Sequence, residues 1–273
     1  MKQIRNRATL WGLIFGTVLA LGLTAFADTE EFHRTYPLNA DGIFALSNVN
    51  GQVHVKGTDQ NSVQVDAVKT ADDAGYLKAI RIEVSASSSS ITIDTKYPEH
   101  MRNRNARVDY TISIPKSARI RKLDLVNGSV TIEGVRGDIT ASAVNGRVDV
   151  VGSASDLHLS AVNGQVRAEV AQLGRNSKVS SVNGQVNLTL PSDVNADING
   201  STVSGNISNE FGLNVDRPRY GPGASIHGQL GDGSNRLELS TVNGGIELKR
   251  ASDGKTASKV TQKGKSTGKN SYY

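Results

Sequence analysis

An all-β architecture, a parallel β-solenoid of short coils with an irregular N-terminal cap region, follows from three features of this 273-residue sequence. A valine, a turn dipeptide and a hydrophobic strand recur seven times: Val49-Asn50-Gly51, Val126-Asn127-Gly128, Val144-Asn145-Gly146, Val162-Asn163-Gly164, Val182-Asn183-Gly184, Val203-Ser204-Gly205 and Val242-Asn243-Gly244. From Asn127 the turns are spaced by 18, 18, 20, 21 and 39 residues, the last close to two coils. A fixed period near 20 residues marks one small unit laid down repeatedly. Finally, apolar and polar residues alternate with period two on both sides of every turn, and the inward parity switches there.

In chain order, Lys2, Arg5 and Arg7 precede an uncharged stretch, 8–27, that ends in Ala25-Phe26-Ala27. A basic start, a short apolar run and small residues at a cleavage site predict a secretory signal peptide over residues 1–27. The competing reading, an uncleaved anchor, suffers from an apolar run shorter than the ~20 residues of a full span. The sequence therefore predicts export to the periplasm or cell surface, with no stable membrane span after cleavage.

Residues 28–120 read as an N-terminal coil and cap. Strands are expected at Phe32–Tyr36, Ile43–Val49, Val53–Gly57, Val63–Val68, Ile80–Ala86, Ile91–Lys96 and Val108–Ile114. One short helix is expected over Ala71–Lys78, with Thr70 as its cap and Asp72 and Asp73 in its first turn. Solenoids need atypical ends, because an open end exposes unpaired strand edges.

Residues 121–250 carry the regular repeats. Three residues after each turn residue comes Val53, Val130, Val148, Val166, Val186, Ile207 or Ile246, and polar side chains flank these positions. Four residues before it comes Leu46, Leu123, Ala141, Leu159, Val179, Gly200 or Leu239. A straight strand cannot change its buried face, so Asn50, Gly51, Asn127, Gly128, Asn145, Gly146, Asn163, Gly164, Asn183, Gly184, Ser204, Gly205, Asn243 and Gly244 are expected to form structural corners. Glycine tolerates positive φ there, and asparagine bonds readily to nearby backbone. An Asn-Gly hairpin ladder is the rival reading; it leaves the constant spacing and the repeated side-chain columns unexplained. A serine three residues ahead of the turn recurs as Ser47, Ser142, Ser160, Ser180, Ser201 and Ser240, with Asp124 as the departure. Repetition in equivalent places suits a hydroxyl ladder, whereas a nucleophile needs a paired base.

Residues 210–236 interrupt the repeat with six glycines, Pro218 and Pro222, and read as an inserted excursion. From Ala251 to Tyr273 the chain is rich in Lys, Ser, Gly and Thr, and a disordered basic tail is expected. This tail misleads on charge. The formal net charge is +5, but the leader holds three basic residues and no acid, and residues 249–273 hold seven against Asp253 alone. The body, 28–248, is mildly acidic, which argues against nucleic acid as a partner. Cysteine is absent, so disulfides and thiolate-bound metals are excluded.

Leu190-Pro191, Ala196-Asp197-Ile198, Ser201-Thr202-Val203-Ser204-Gly205, the run Leu237–Ile246 and the opening Asn48–Gly57 resemble the "putative-adhesin" β-solenoid family, a bacterial domain of unknown function with repeated S-T-V-N-G-x-I motifs. The resemblance covers roughly residues 31–250. It implies an exported bacterial protein with a repetitive β-fold and carries over no catalytic residues. Ser204, Asp124-Leu125 and the basic tail depart from the pattern.

No catalytic, cofactor or metal site is predicted. The five histidines share no ligand spacing, and no H-E-x-x-H occurs. Asp149 and Glu169 lie on outward faces of nearby coils, with no aromatic platform for sugar stacking and nothing to isolate either from water. What the repeats do present is a polar strip: Gln52, His54, Ser129, Thr131, Arg147, Asp149, Gln165, Arg167, Gln185 and Asn187. A non-enzymatic envelope protein, adhesin-like or scaffolding, is the function expected, with a cell-envelope polymer or another envelope protein as partner. A carbohydrate-active enzyme, lyase or hydrolase, is the alternative. Oligomeric state is not legible.

Overall fold

The structure, a computed structural model, describes residues 28–98 and 105–262. The expected leader, 1–27, and the end of the basic tail, 263–273, lie outside the described residues.

The N-terminal region forms β1 (Asp28–Pro37), β2 (Ile43–Asn50), β3 (Val53–Thr58), β4 (Ser62–Ala71), the helix α1 (Ala74–Ala79), β5 (Arg81–Ala86), β6 (Ser90–Lys96) and β7 (Ala106–Pro115). Each expected strand is found here, with ends shifted by a few residues. The helix starts later than expected. Asp73 is its N-cap, accepting a hydrogen bond from the Tyr76 amide at 2.8 Å. Thr70 is unavailable, because β4 is held through Ala71 by β1 on one side and β7 on the other.

The repeats form β8 (Arg119–Glu133) and β9 (Ile139–Ser153), which run unbroken through their corners, then β10 (Leu157–Asn163), β11 (Val166–Val170), β12 (Asn176–Asn183) and β13 (Val186–Leu190). They continue as β14 (Ala196–Ser204), β15 (Ile207–Asn209), β16 (Val215–Asp216), β17 (Ala224–Leu230), β18 (Asn235–Asn243), β19 (Ile246–Arg250) and β20 (Val260–Gln262).

Strands ahead of the corners stack into a first wall, and strands after them into a second. In the middle of both walls the pairing is parallel and in register around the corners, with shifts near Leu123 and Val170: Val148 lies between Val130 and Val166, and Asn145 between Asn127 and Asn163. The ends differ. β1–β4, β4–β7, β5–β6, β14–β17, β16–β17 and β17–β20 are antiparallel. The sheet is therefore mixed: the expected parallel solenoid with an irregular N-terminal cap region meets antiparallel strands at its C-terminal end as well. Two of the antiparallel pairs, β5–β6 and β16–β17, are hairpins whose short connections require antiparallel pairing; the others pair strands distant in the chain, and all lie at the ends of the walls.

Stacking order also departs from chain order. β12 pairs with β18, and β18 with β14; β13 pairs with β19, and β19 with β15. The last coil in sequence is thus threaded between the two coils that precede it. The excursion makes this possible. Its strand β17 runs antiparallel along the far side of β14, and the chain then returns to fill the open slot. The first coil is likewise internal, with β2 between β6 and β8 and β3 between β7 and β8.

The core lies between the walls. Leu46, Leu123, Ala141, Leu159, Val179 and Leu239 face it from the first wall, and Val53, Val130, Val148, Val166, Val186, Ile246 and Ile207 from the second, all at most 2% exposed. Beneath the corners sit small buried residues whose hydroxyls are satisfied locally. Ser181 Oγ, Thr241 Oγ1 and Thr202 Oγ1 donate to the carbonyls of Gly164, Gly184 and Gly244, each one rung below. Buried hydroxyls are costly unless bonded in this way.

The tail expectation is corrected for residues 251–262. The Ala251 amide donates to the Leu190 carbonyl, Ser192 N–H donates to Asp253 Oδ2 at 3.0 Å, and Lys255 pairs with Asp193 at 2.9 Å. Val260 to Gln262 then add to β17 as β20. Backbone pairing holds this polar segment where apolar burial could not.

Candidate functional site

The corners fix everything that stands out from the walls. At the turn itself an asparagine ladder runs along the molecule. Asn127 Nδ2 donates to Asn50 Oδ1, Asn145 to Asn127, Asn163 to Asn145, Asn183 to Asn163 and Asn243 to Asn183, at 2.8–2.9 Å. Ser204 occupies the next rung, where the ladder stops.

The glycines beside them are needed for a reason other than the one expected. Gly51 and Gly128 do have positive φ, +126° and +141°, but the corner glycines from Gly146 onward do not. What excludes a side chain there is stacking: a Cβ on Gly146 would collide with the carbonyl oxygen of Gly128, and one on Gly164 with that of Gly146.

On the second wall the expected strip falls into two adjacent columns. One holds Gln52, Ser129, Arg147, Gln165 and Gln185; the other holds His54, Thr131, Asp149, Arg167 and Asn187, continued by Glu247 and Ser208. Side chains in a column stand ~4.8 Å apart, the spacing of paired strands. Asp149 is the electrostatic centre. Its neighbours are Arg147 on its own strand, 3.8 Å from Oδ2, and Arg167 on the next rung. Partial burial lifts its carboxyl above the ordinary carboxylate range, and the two guanidiniums pull it back. His54 Nε2 lies 3.4 Å from Glu133 Oε2. His54 Nε2 and Asn187 Oδ1 are shielded polar atoms with no hydrogen-bond partner among the described residues.

Hollows of the surface lie elsewhere. One of about 250 Å³ sits at the far edge of the first wall, against Arg121, Asp138, Asp156 and His158. Among the described residues no three His, Asp or Glu side chains are grouped as a metal site would need. No helix among them is long and apolar enough to cross a membrane.

One column is absent from the expected strip. The valine ahead of each turn points outward: Val49, Val126, Val144, Val162, Val182 and Val242 are 37–41% exposed, and Val203 is 63% exposed. They form an apolar line between the asparagine ladder and the serine column. The signal for it was present in the sequence, since the residue next to each turn is always valine and its parity is outward.

These features define a class: an all-β, solenoid-like repeat protein that displays columns of side chains on rigid walls. Within it, the chain belongs to the Toastrack DUF4097 family, which it matches over residues 37–249. No curated protein matches the chain. Among solved structures, it is similar to a "putative cell adhesion protein" of Clostridium sporogenes, with 14% identity and a TM-score of 0.50 over 83% of this chain and 100% of that one. A "putative adhesin" of Bacteroides fragilis matches with 14% identity and a TM-score of 0.30 over 81% and 97% of the two chains. A "putative lipid binding protein" of Parabacteroides distasonis matches with 10% identity and a TM-score of 0.32 over 84% and 98%.

Proposed function

We propose that this chain is an exported, non-enzymatic binding module of the bacterial cell envelope, adhesin-like or scaffolding, whose second wall meets an extended partner. The observation that carries the proposal is the strict register of Gln52, His54, Thr131, Arg147, Asp149, Gln165, Arg167, Gln185 and Asn187 in two columns. A strip of this kind suits a partner that is itself long: a cell-envelope polymer or a segment of another envelope protein. Amides and guanidiniums supply donors and acceptors that can pair with hydroxyl, carbonyl or carboxylate groups. The parallel backbone ladder fixes the positions from which these side chains project, so no backbone ordering is required on contact. The similarity in fold to the "putative cell adhesion protein" of Clostridium sporogenes supports the same reading.

Retention of the purified full chain on cell-wall fractions tests this reading. The module should bind without releasing soluble fragments, and Arg167→Glu should weaken retention while leaving the melting temperature nearly unchanged. Release of polysaccharide products would overturn the non-enzymatic assignment. Retention indifferent to Arg167→Glu and to a parallel Gln165→Glu change would remove the second wall as the binding face.

A further inference from the structure

β1 is the outermost strand of the second wall. It pairs antiparallel with β4 over ten residues, from Asp28 opposite Ala71 to Pro37 opposite Ser62, and with no other strand among the described residues. Its other edge presents unpaired backbone groups, which are a template for a further strand. The remaining edges of the described walls are shorter: β5 has six residues, β15 three, β16 two and β20 three.

Charges on an edge strand normally repel newcomers. On β1 their order instead matches its own reverse. With two copies antiparallel about Phe32, Glu30 faces Arg34 and Glu31 faces His33, each pair occurring twice. Sliding by two residues one way sets Glu31 against Glu31; sliding the other way sets His33 against His33. The neighbouring strand prepares this arrangement. Lys69, its side chain 8% exposed, lies 2.6 Å from Glu30, and Asp66 contacts His33. Arg34 and Glu31 meet no opposite charge within the described chain; the Arg34 guanidinium lies over the Phe32 ring at 5.6 Å and donates to the His33 carbonyl.

We infer that β1 is a self-recognition edge: two copies of this chain join β1 to β1 about Phe32 and merge their second walls into one sheet. The resulting row Lys69–Glu30–Arg34 alternates in sign across the junction, and the His33 imidazole is set between the Asp66 and Glu31 carboxylates, so the pairing selects another β1 over an uncharged strand.

Sedimentation of the full chain over a concentration series tests this. A reversible dimer is expected, weakened by salt. Arg34→Glu should weaken it about tenfold or more, since like charges then face each other twice, whereas Arg34→Lys should change it only a few-fold. The register is read by cysteines in this cysteine-free chain. A mixture of Thr29→Cys and Thr35→Cys proteins should cross-link on mild oxidation, because these residues are opposite one another with Cα atoms about 5 Å apart. Thr29→Cys alone should not, its copies being about 20 Å apart along the strands. A chain that stays monomeric at high concentration overturns the inference, as does a dimer insensitive to Arg34→Glu that lacks the 29-to-35 cross-link.

Discussion

Asn243 donates its side-chain amide to Asn183 Oδ1 at 2.9 Å, although the Ser204 corner lies between them in sequence. The bond reports the threading of the last coil: the ladder passes from Asn183 to Asn243 and only then reaches Ser204. Ser204, the single exception among seven turn residues, thus stands at the end of the ladder. Ser204→Asn should add a rung and raise stability by roughly 0.5–1 kcal/mol, the net worth of one amide hydrogen bond. Chemical denaturation of the two proteins measures it, and a lower midpoint for the variant would count against the rung order.

Asn163 sits mid-ladder, donating to Asn145 and accepting from Asn183. Asn163→Ala removes both bonds and leaves each neighbour one partner short. A loss of about 1–3 kcal/mol is expected. The same change at Asn243, which closes the ladder, should cost less, and equal losses would mean that the ladder is not continuous in solution.

Gly164→Ala tests the stacking account of the corners. A Cβ at Gly164 meets backbone, the Gly146 carbonyl, which cannot rotate away as a side chain would. Forcing neighbouring rungs apart should cost about 3 kcal/mol or more. A variant melting within a degree or two of the parent would show that the rungs can part freely.

The walls, the corners and the two polar columns were legible in the sequence because each depends only on local alternation. Val148 and Asp149 point opposite ways whatever coil lies above them. Rung order was not legible. Val242-Asn243-Gly244 and Val203-Ser204-Gly205 carry the same pattern, and either coil satisfies the rung above Asn183; only the path of β17 along β14 decides it. From Gly146 onward the reason for glycine departs from the expected positive φ on a related ground. Positive φ is a property of one residue, whereas the collision between Gly146 and Gly128 exists only once coils stack. Composition likewise hid the placement of Ala251 to Gln262, which rests largely on backbone and carboxylate hydrogen bonds, with Val260 packed against the core.

Val144 and Val148 lie four residues apart across one corner, 40% and 0% exposed. Val148→Asp places a carboxylate between Val130 and Val166 with no partner, which should abolish cooperative unfolding or soluble expression. Val144→Thr keeps the branched shape that strands favour and exchanges one exposed methyl for a hydroxyl, so stability should move by less than about 0.5 kcal/mol. Thermal melts of both proteins check the pair; a severe loss at Val144 would mean that the outward valine line is covered in solution.

Asp253 anchors the segment that follows the last coil. Hydrogen bonds from Ser192, supported by the Lys255 amide and ammonium, hold its carboxyl down at about 2, against an ordinary value of 3.8. A depressed carboxylate favours the docked state above the ordinary value and loses that contribution as pH falls towards the docked one. Residues 251–262 should therefore stay docked at pH 5 and loosen between about pH 4 and 2, ahead of the core strands. Amide resonances of Lys259 to Gln262 would report the release, while those of β9 and β10 should persist. Asp253→Asn removes the charge at every pH, so the same resonances should already show loosening at neutral pH. Unchanged signals in that variant would assign the docking to β20 pairing alone.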